Sequence, residues 1–96
     1  MSQPVFLDAS AWVAITNRRD QNHNESVQIY RRLLAASTVL VTTTWTAYEA
    51  LTIVKSRLGF IQATRLWDRI KSKAVVDLVG IDEQIERNAL ELFSAL

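Results

Sequence analysis

Val5-Phe6-Leu7-Asp8-Ala9-Ser10-Ala11-Trp12 is the stretch whose reading decides the fold. Three apolar residues run into an acid, and after two small residues a second apolar segment begins. That pattern predicts a short buried strand, Val5–Leu7, ending in a carboxylate and turning into a helix. A strand without polar alternation is usually covered on both faces, as in a parallel sheet flanked by helices. Ligands of such sheets bind outside the carboxyl ends of the strands, and Asp8 stands there on the first strand.

The rest of the chain repeats the pattern. Ser10 is placed to cap a helix through Ile15, with Asn17 near its end. After a polar loop, Asn22 with Glu25 fits a capping box, or Asn24 caps alone, and a second helix runs to about Ala36. Val27, Tyr30, Leu33 and Leu34 share one of its faces. Val39–Thr42 reads as the second strand, with Thr43 and Thr44 as the turn after it. The third helix carries Ala47, Ala50, Leu51, Val54 and Leu58 inward and stops at Gly59. A fourth, about 60–71, buries Ala63, Leu66, Trp67 and Ile70. The third strand is about 74–79, and Asp82 caps a last helix with a stripe of Ile85, Ala89, Leu92 and Leu96. The order β-α-α-β-α-α-β-α predicts an α/β fold, a three-layer α/β/α domain on a parallel sheet.

With 96 residues the chain makes a single domain, 1–96. At 49% hydrophobic and 22% charged residues it has globular rather than disordered composition. The absence of cysteine excludes disulfides and thiolate metal sites, and agrees with a cytoplasmic setting. No apolar run approaches the roughly 20 residues that span a bilayer. Charge is segregated. Between Lys55 and Lys73 six basic residues stand against one acid, a net of +5, and from Asp77 onward the balance is −4. The basic segment is either a solvated helix face or an attractor of phosphates. Leu96 falls inside an amphipathic pattern, and three parallel strands are few for the class. The expectation is a C-terminally truncated domain, or one completed by a second copy.

Two acids follow strand ends. Asp8 reads either as a cap or Asx-turn, or as a site carboxylate. Thr46-Ala47-Tyr48-Glu49 matches a capping box, which would fold Glu49 back on its helix start. At 100° per residue, however, Glu49 points away from the apolar stripe and is free to face a cleft. Two carboxylates about 4 Å apart at an effective dielectric of about 20 repel by roughly 4 kcal/mol. Such a pair persists with a proton or a cation between them, and Mg²⁺ or Mn²⁺ suits oxygen donors. Ser10 adds a hydroxyl to that site or serves as an N-cap. Thr42, Thr43 and Thr44 either touch phosphate or only form strand and turn. His23 is expected to be exposed, and Trp12, Trp45 and Trp67 to be core or interface. The chain has no Gly-rich phosphate loop and no G-x-S-x-G elbow.

Val-Phe-Leu-Asp-Ala-Ser-Ala at 5–11, followed by Val-Leu-Val-Thr-Thr-Thr-Trp-Thr-Ala-Tyr-Glu-Ala at 39–50, resembles the PIN-domain family. It is most similar to the VapC-type toxins of bacterial toxin–antitoxin pairs. The resemblance implies Mg²⁺- or Mn²⁺-dependent cleavage of RNA, with Asp8 and Glu49 as the first two acids of the metal site and Ser10 beside them. It also implies a homodimer and a cognate antitoxin. Family members run about a third longer and carry further acids on a fourth strand. Asp77 and Asp82 are misplaced to substitute, so the chain alone is expected to be weakly active or inactive. The rival reading is a non-catalytic fragment that dimerises or binds an antitoxin.

Overall fold

The structure, a computed structural model, describes residues 3–72 and 76–80. Its elements are β1 (Val5–Phe6), α1 (Ala9–Thr16), α2 (His23–Ala35), β2 (Leu40–Thr43), α3 (Thr44–Leu58), α4 (Phe60–Lys71) and β3 (Val76–Val79). The strands form one sheet in the order β1-β2-β3, all parallel. Val5 pairs with Leu40, and Leu40 with Val76. The Leu7 amide extends the first ladder by donating to the Val41 carbonyl at 2.9 Å.

Both crossovers step in the same direction across the sheet, and right-handed connections then lay α1 to α4 on one face. Accordingly α1 packs against α2 and α3, and α3 against α4. Leu7, Leu40, Thr42 and Val76 point into this helical layer and are buried. Trp12, Val54, Leu66 and Ile70 meet them there. The strands are therefore not shielded on both sides by the described helices: Phe6 and Val39, on the opposite face, are each 52% exposed. The expected final helix, its cap Asp82 and its stripe to Leu96 lie outside the described residues.

Gly59 joins α3 to α4 with φ +93° and ψ 175°, a region that only glycine occupies without strain. Helix α2 contributes no fully buried residue. Tyr30 and Leu33 pack against the core, whereas Leu34 is exposed. The expected Asn22–Glu25 capping box does not form, since Asn22 makes no side-chain cap. Instead Asp20 Oδ1 accepts from the Asn22 amide at 2.8 Å. His23, expected in solvent, is half-buried, with its Nδ1 2.7 Å from the Ala14 carbonyl. A carbonyl can only accept, so Nδ1 carries the proton and His23 ties the start of α2 to α1.

Candidate active site at the carboxyl rim of the sheet

Asp8 follows β1 immediately and is the N-cap of α1, with extended backbone at φ −80° and ψ 176°. Its Oδ1 accepts from the Ala11 amide at 2.8 Å and from the Ser10 hydroxyl at 2.9 Å. The expectation that Ser10 caps this helix is thus corrected. An aspartate already at the strand end takes the cap, where its charge also complements the helix dipole. Ser10, now inside the first turn, orients the carboxylate instead. Capping does not use Asp8 up, because both bonds fall on one oxygen and an ionised carboxylate offers about four acceptor positions. Asp8 is exposed.

Behind Asp8 lies a buried polar relay. Thr42, fully buried at 0% exposure, donates to the Leu7 carbonyl at 3.0 Å. It accepts from the Trp12 indole N–H at 3.3 Å. One hydroxyl therefore links the residue before Asp8, the middle strand and helix α1. Of its two sequence readings, strand former holds and phosphate contact does not, because nothing in solvent reaches it.

Glu49 is the sixth residue of α3. The N-cap of α3 is Thr43, whose Oγ1 accepts from the Thr46 amide at 3.1 Å and donates to the Thr46 hydroxyl at 2.9 Å. The expected capping box on Thr46 is overturned by this. The threonine run lets β2 enter α3 without a loop, so the cap falls one turn earlier and Glu49 is past the first-turn amides it would have satisfied. Glu49 is exposed and makes no hydrogen bond or ion pair among the described residues.

Asp8 and Glu49 therefore follow the carboxyl ends of neighbouring parallel strands, on helices α1 and α3 that touch. Asp77 lies in register with Val41, two residues short of the end of β3. Among the described residues no three His, Cys, Asp or Glu side chains gather to hold a metal. A cleft of about 330 Å³ opens beside Ser10 between α1 and α2, with Asp20, Asn22 and Glu25 on its wall. Sequence spacing did not single out that wall, because the α1–α2 packing that brings it to Ser10 is long-range.

The tryptophans divide. Trp12 is core, fully buried, and meets Tyr30 edge-on at 6.2 Å. Trp67 is half-buried against Tyr48, their ring centroids 6.1 Å apart. Trp45, expected in the core or at an interface, is not core: it is 71% exposed in the first turn of α3.

A parallel sheet with paired-helix crossovers, and exposed acids after two adjacent strand ends, defines a small α/β domain with its candidate site on the carboxyl rim. The chain belongs to the PIN domain family, which matches residues 5–96. It is similar to the crystal structure of Mycobacterium tuberculosis VapC20, described as a sarcin-ricin loop cleaving toxin, with a TM-score of 0.76 and 25% identity. The match covers 94% of this chain and 66% of that one, so the chain spans just under two-thirds of its structural relative. No curated protein sequence matches significantly. Among the described residues, no helix is long and apolar enough to cross a membrane.

Proposed function

We propose that the protein is a metal-dependent endoribonuclease, the toxin of a VapBC-type toxin–antitoxin pair. The observation that carries this is the rim itself. One carboxylate, Asp8, is held by two donors at the end of β1, and a second, Glu49, is exposed one strand over without a partner among the described residues. Family membership and the likeness to an RNA-cleaving toxin support the same reading.

Carboxylate and hydroxyl oxygens match Mg²⁺ or Mn²⁺ in type. In number, two carboxylates fit a weakly held ion that keeps most of its waters. Asp8 and Glu49 would hold it, with Ser10 fixing the Asp8 oxygen. Bound there, a divalent ion supplies positive charge for the phosphate and acidifies a water. The chain's own part is orientation. Asp8 is locked by Ser10 and Ala11, and Glu49 is free to accept a hydrogen bond from the attacking water. Lys71, which reaches the Trp67 ring beside Tyr48 in the first turns of α3, adds positive charge for the RNA backbone on the rim side of that helix. Water adds to phosphorus as the bond from phosphorus to the departing ribose oxygen breaks, and that oxygen takes up a proton. A homodimer, a cognate antitoxin and a cytoplasmic setting belong to the same proposal.

Calorimetric titration with Mn²⁺, paired with cleavage of a labelled RNA, tests it. Mn²⁺ binding and cleavage are expected in the wild-type chain. Asp8→Asn and Glu49→Gln should each lower cleavage by at least about 10²-fold, in the range that electrostatic groups of an active site contribute. A chain that neither binds Mn²⁺ nor cuts RNA would leave the non-catalytic binding module as the better reading.

A further inference from the structure

We infer that Trp45 and Tyr48, backed by Trp67 and Lys71, form a stacking track for two unpaired bases of the RNA, leading directly to the acids at the rim. This rests on the RNA-cleaving reading above and adds which part of the RNA is held and by what.

Helix geometry and two ring contacts gather these residues on one face of the α3–α4 pair. On α3, Trp45 and Glu49 are four residues apart, so they lie about 40° apart around the helix and about 6 Å along it. Tyr48 lies about 60° from Trp45 on the other side, so around the axis Trp45 falls between Glu49 and Tyr48, about one turn nearer the start of α3. The Tyr48 ring meets Trp67 of α4 at 6.1 Å with a 39° tilt. The Lys71 ammonium lies 5.4 Å from the centre of the Trp67 ring. Trp45 at 71% and Tyr48 at 59% exposure offer their rings to solvent, while Trp67 is half-buried and acts as support.

Large exposed aromatic rings also occur at protein interfaces, and charge decides between the two. The track ends in a cation, Lys71, on a helix whose last turn carries Arg69 and Lys71. Lysine is depleted from the centres of protein interfaces, whereas aromatic rings interleaved with cations are how single-stranded nucleic acids are held. Lys71 also pairs with Asp68 at 3.9 Å, but both side chains are at least half exposed. Such a pair is weak enough for a phosphate to displace it. Stacking uses the face of a base, which a duplex hides, so the track selects unpaired nucleotides over paired ones without reading their identity. A base on Trp45 brings its own phosphate within one helical turn of Glu49.

The test is fluorescence anisotropy of a labelled single-stranded RNA hexamer in EDTA, which prevents cleavage, with a hairpin stem and an abasic hexamer as controls. Trp45→Ala and Tyr48→Ala should each weaken hexamer binding by about 5- to 100-fold, as expected for one stacked base. Neither should change binding of the abasic strand. Trp45→Phe should restore most of the affinity. Lys71→Ala should lower the salt dependence by about one phosphate contact. Both rings are exposed, and circular dichroism confirms that each variant is folded; the two alanine variants report independently. Wild-type affinity in both variants overturns the track. So does an equal loss on intact and abasic strands. A variant that binds RNA normally but shifts the sedimentation equilibrium shows the face to be a protein interface, and also overturns it. If the variants lose nothing while Asp8-dependent cleavage persists, the track alone fails. If the wild-type chain neither binds nor cuts RNA, the parent reading fails with it.

Discussion

Replacing Thr42 with valine should destabilise the protein by about 2–3 kcal/mol, although the two side chains have nearly the same shape. The Thr42 hydroxyl is fully buried, donates to the Leu7 carbonyl at 3.0 Å and accepts from Trp12 at 3.3 Å. Valine leaves the indole N–H without that acceptor, and an orphaned buried donor costs about 1–3 kcal/mol. The lost donor to Leu7 adds about 0.5–1.5 kcal/mol, and the easier burial of a methyl group returns part of the sum. For a domain of this size each kcal/mol shifts Tm by about 4–8 °C, so Tm should fall by about 10–20 °C. In urea the midpoint should drop by about 1–2 M at an unchanged slope. Thr42→Ser keeps the hydroxyl, loses one methyl, and should cost less than valine. A double-mutant cycle with Trp12→Phe should show a coupling of about 1 kcal/mol or more. If valine proves as stable as threonine, or more stable than serine, the relay does not hold β1 to α1.

Three further outcomes follow from the geometry. Asp8→Ala should lose about 1 kcal/mol through its cap, whereas Asp8→Asn, still a good cap, should unfold within about 0.5 kcal/mol of wild type; urea melts separate the capping role from the charge. Gly59→Ala should cost about 1–3 kcal/mol, all of it backbone strain at φ +93°, because a β-carbon there meets nothing within 4 Å; a melt within 0.5 kcal/mol of wild type would contradict that conformation. Burial pushes the Tyr30 hydroxyl above its usual value near 10, opposed by the nearby Arg69 cation. The folded state then holds this proton at a pH where the unfolded chain has released it, so stability should fall as pH rises above about 10, and Tyr30→Phe should flatten that slope.

Much of the fold is local in origin. The β-branched run before Thr43, the glycine after Leu58 and the apolar spacing of α3 and α4 are short-range signals, and the parallel sheet with its paired-helix crossovers was readable from them. Asp8 and Glu49 could be singled out as candidates in the same way, since an acid at a strand end, or early in the helix that follows one, is visible without coordinates. Details that depend on competition between neighbours were not. Asp8 and Ser10 are both good caps, and the position of the strand end decided between them. Thr43 and Thr46 are both capping residues, and the direct entry of β2 into α3 chose Thr43 and put Glu49 beyond the first turn. The destination of long-range groups was out of reach altogether. Periodicity says that Thr42 alternates with Val41, but only the approach of β1 and α1 supplies partners for its hydroxyl. Nor does composition tell the three tryptophans apart: only the tertiary packing buries Trp12, sets Trp67 of α4 against Tyr48 and leaves Trp45 71% exposed. Hydrophobic pattern and turn chemistry are properties of a few adjacent residues, whereas the fate of a buried hydroxyl or an exposed ring depends on which distant elements arrive beside it.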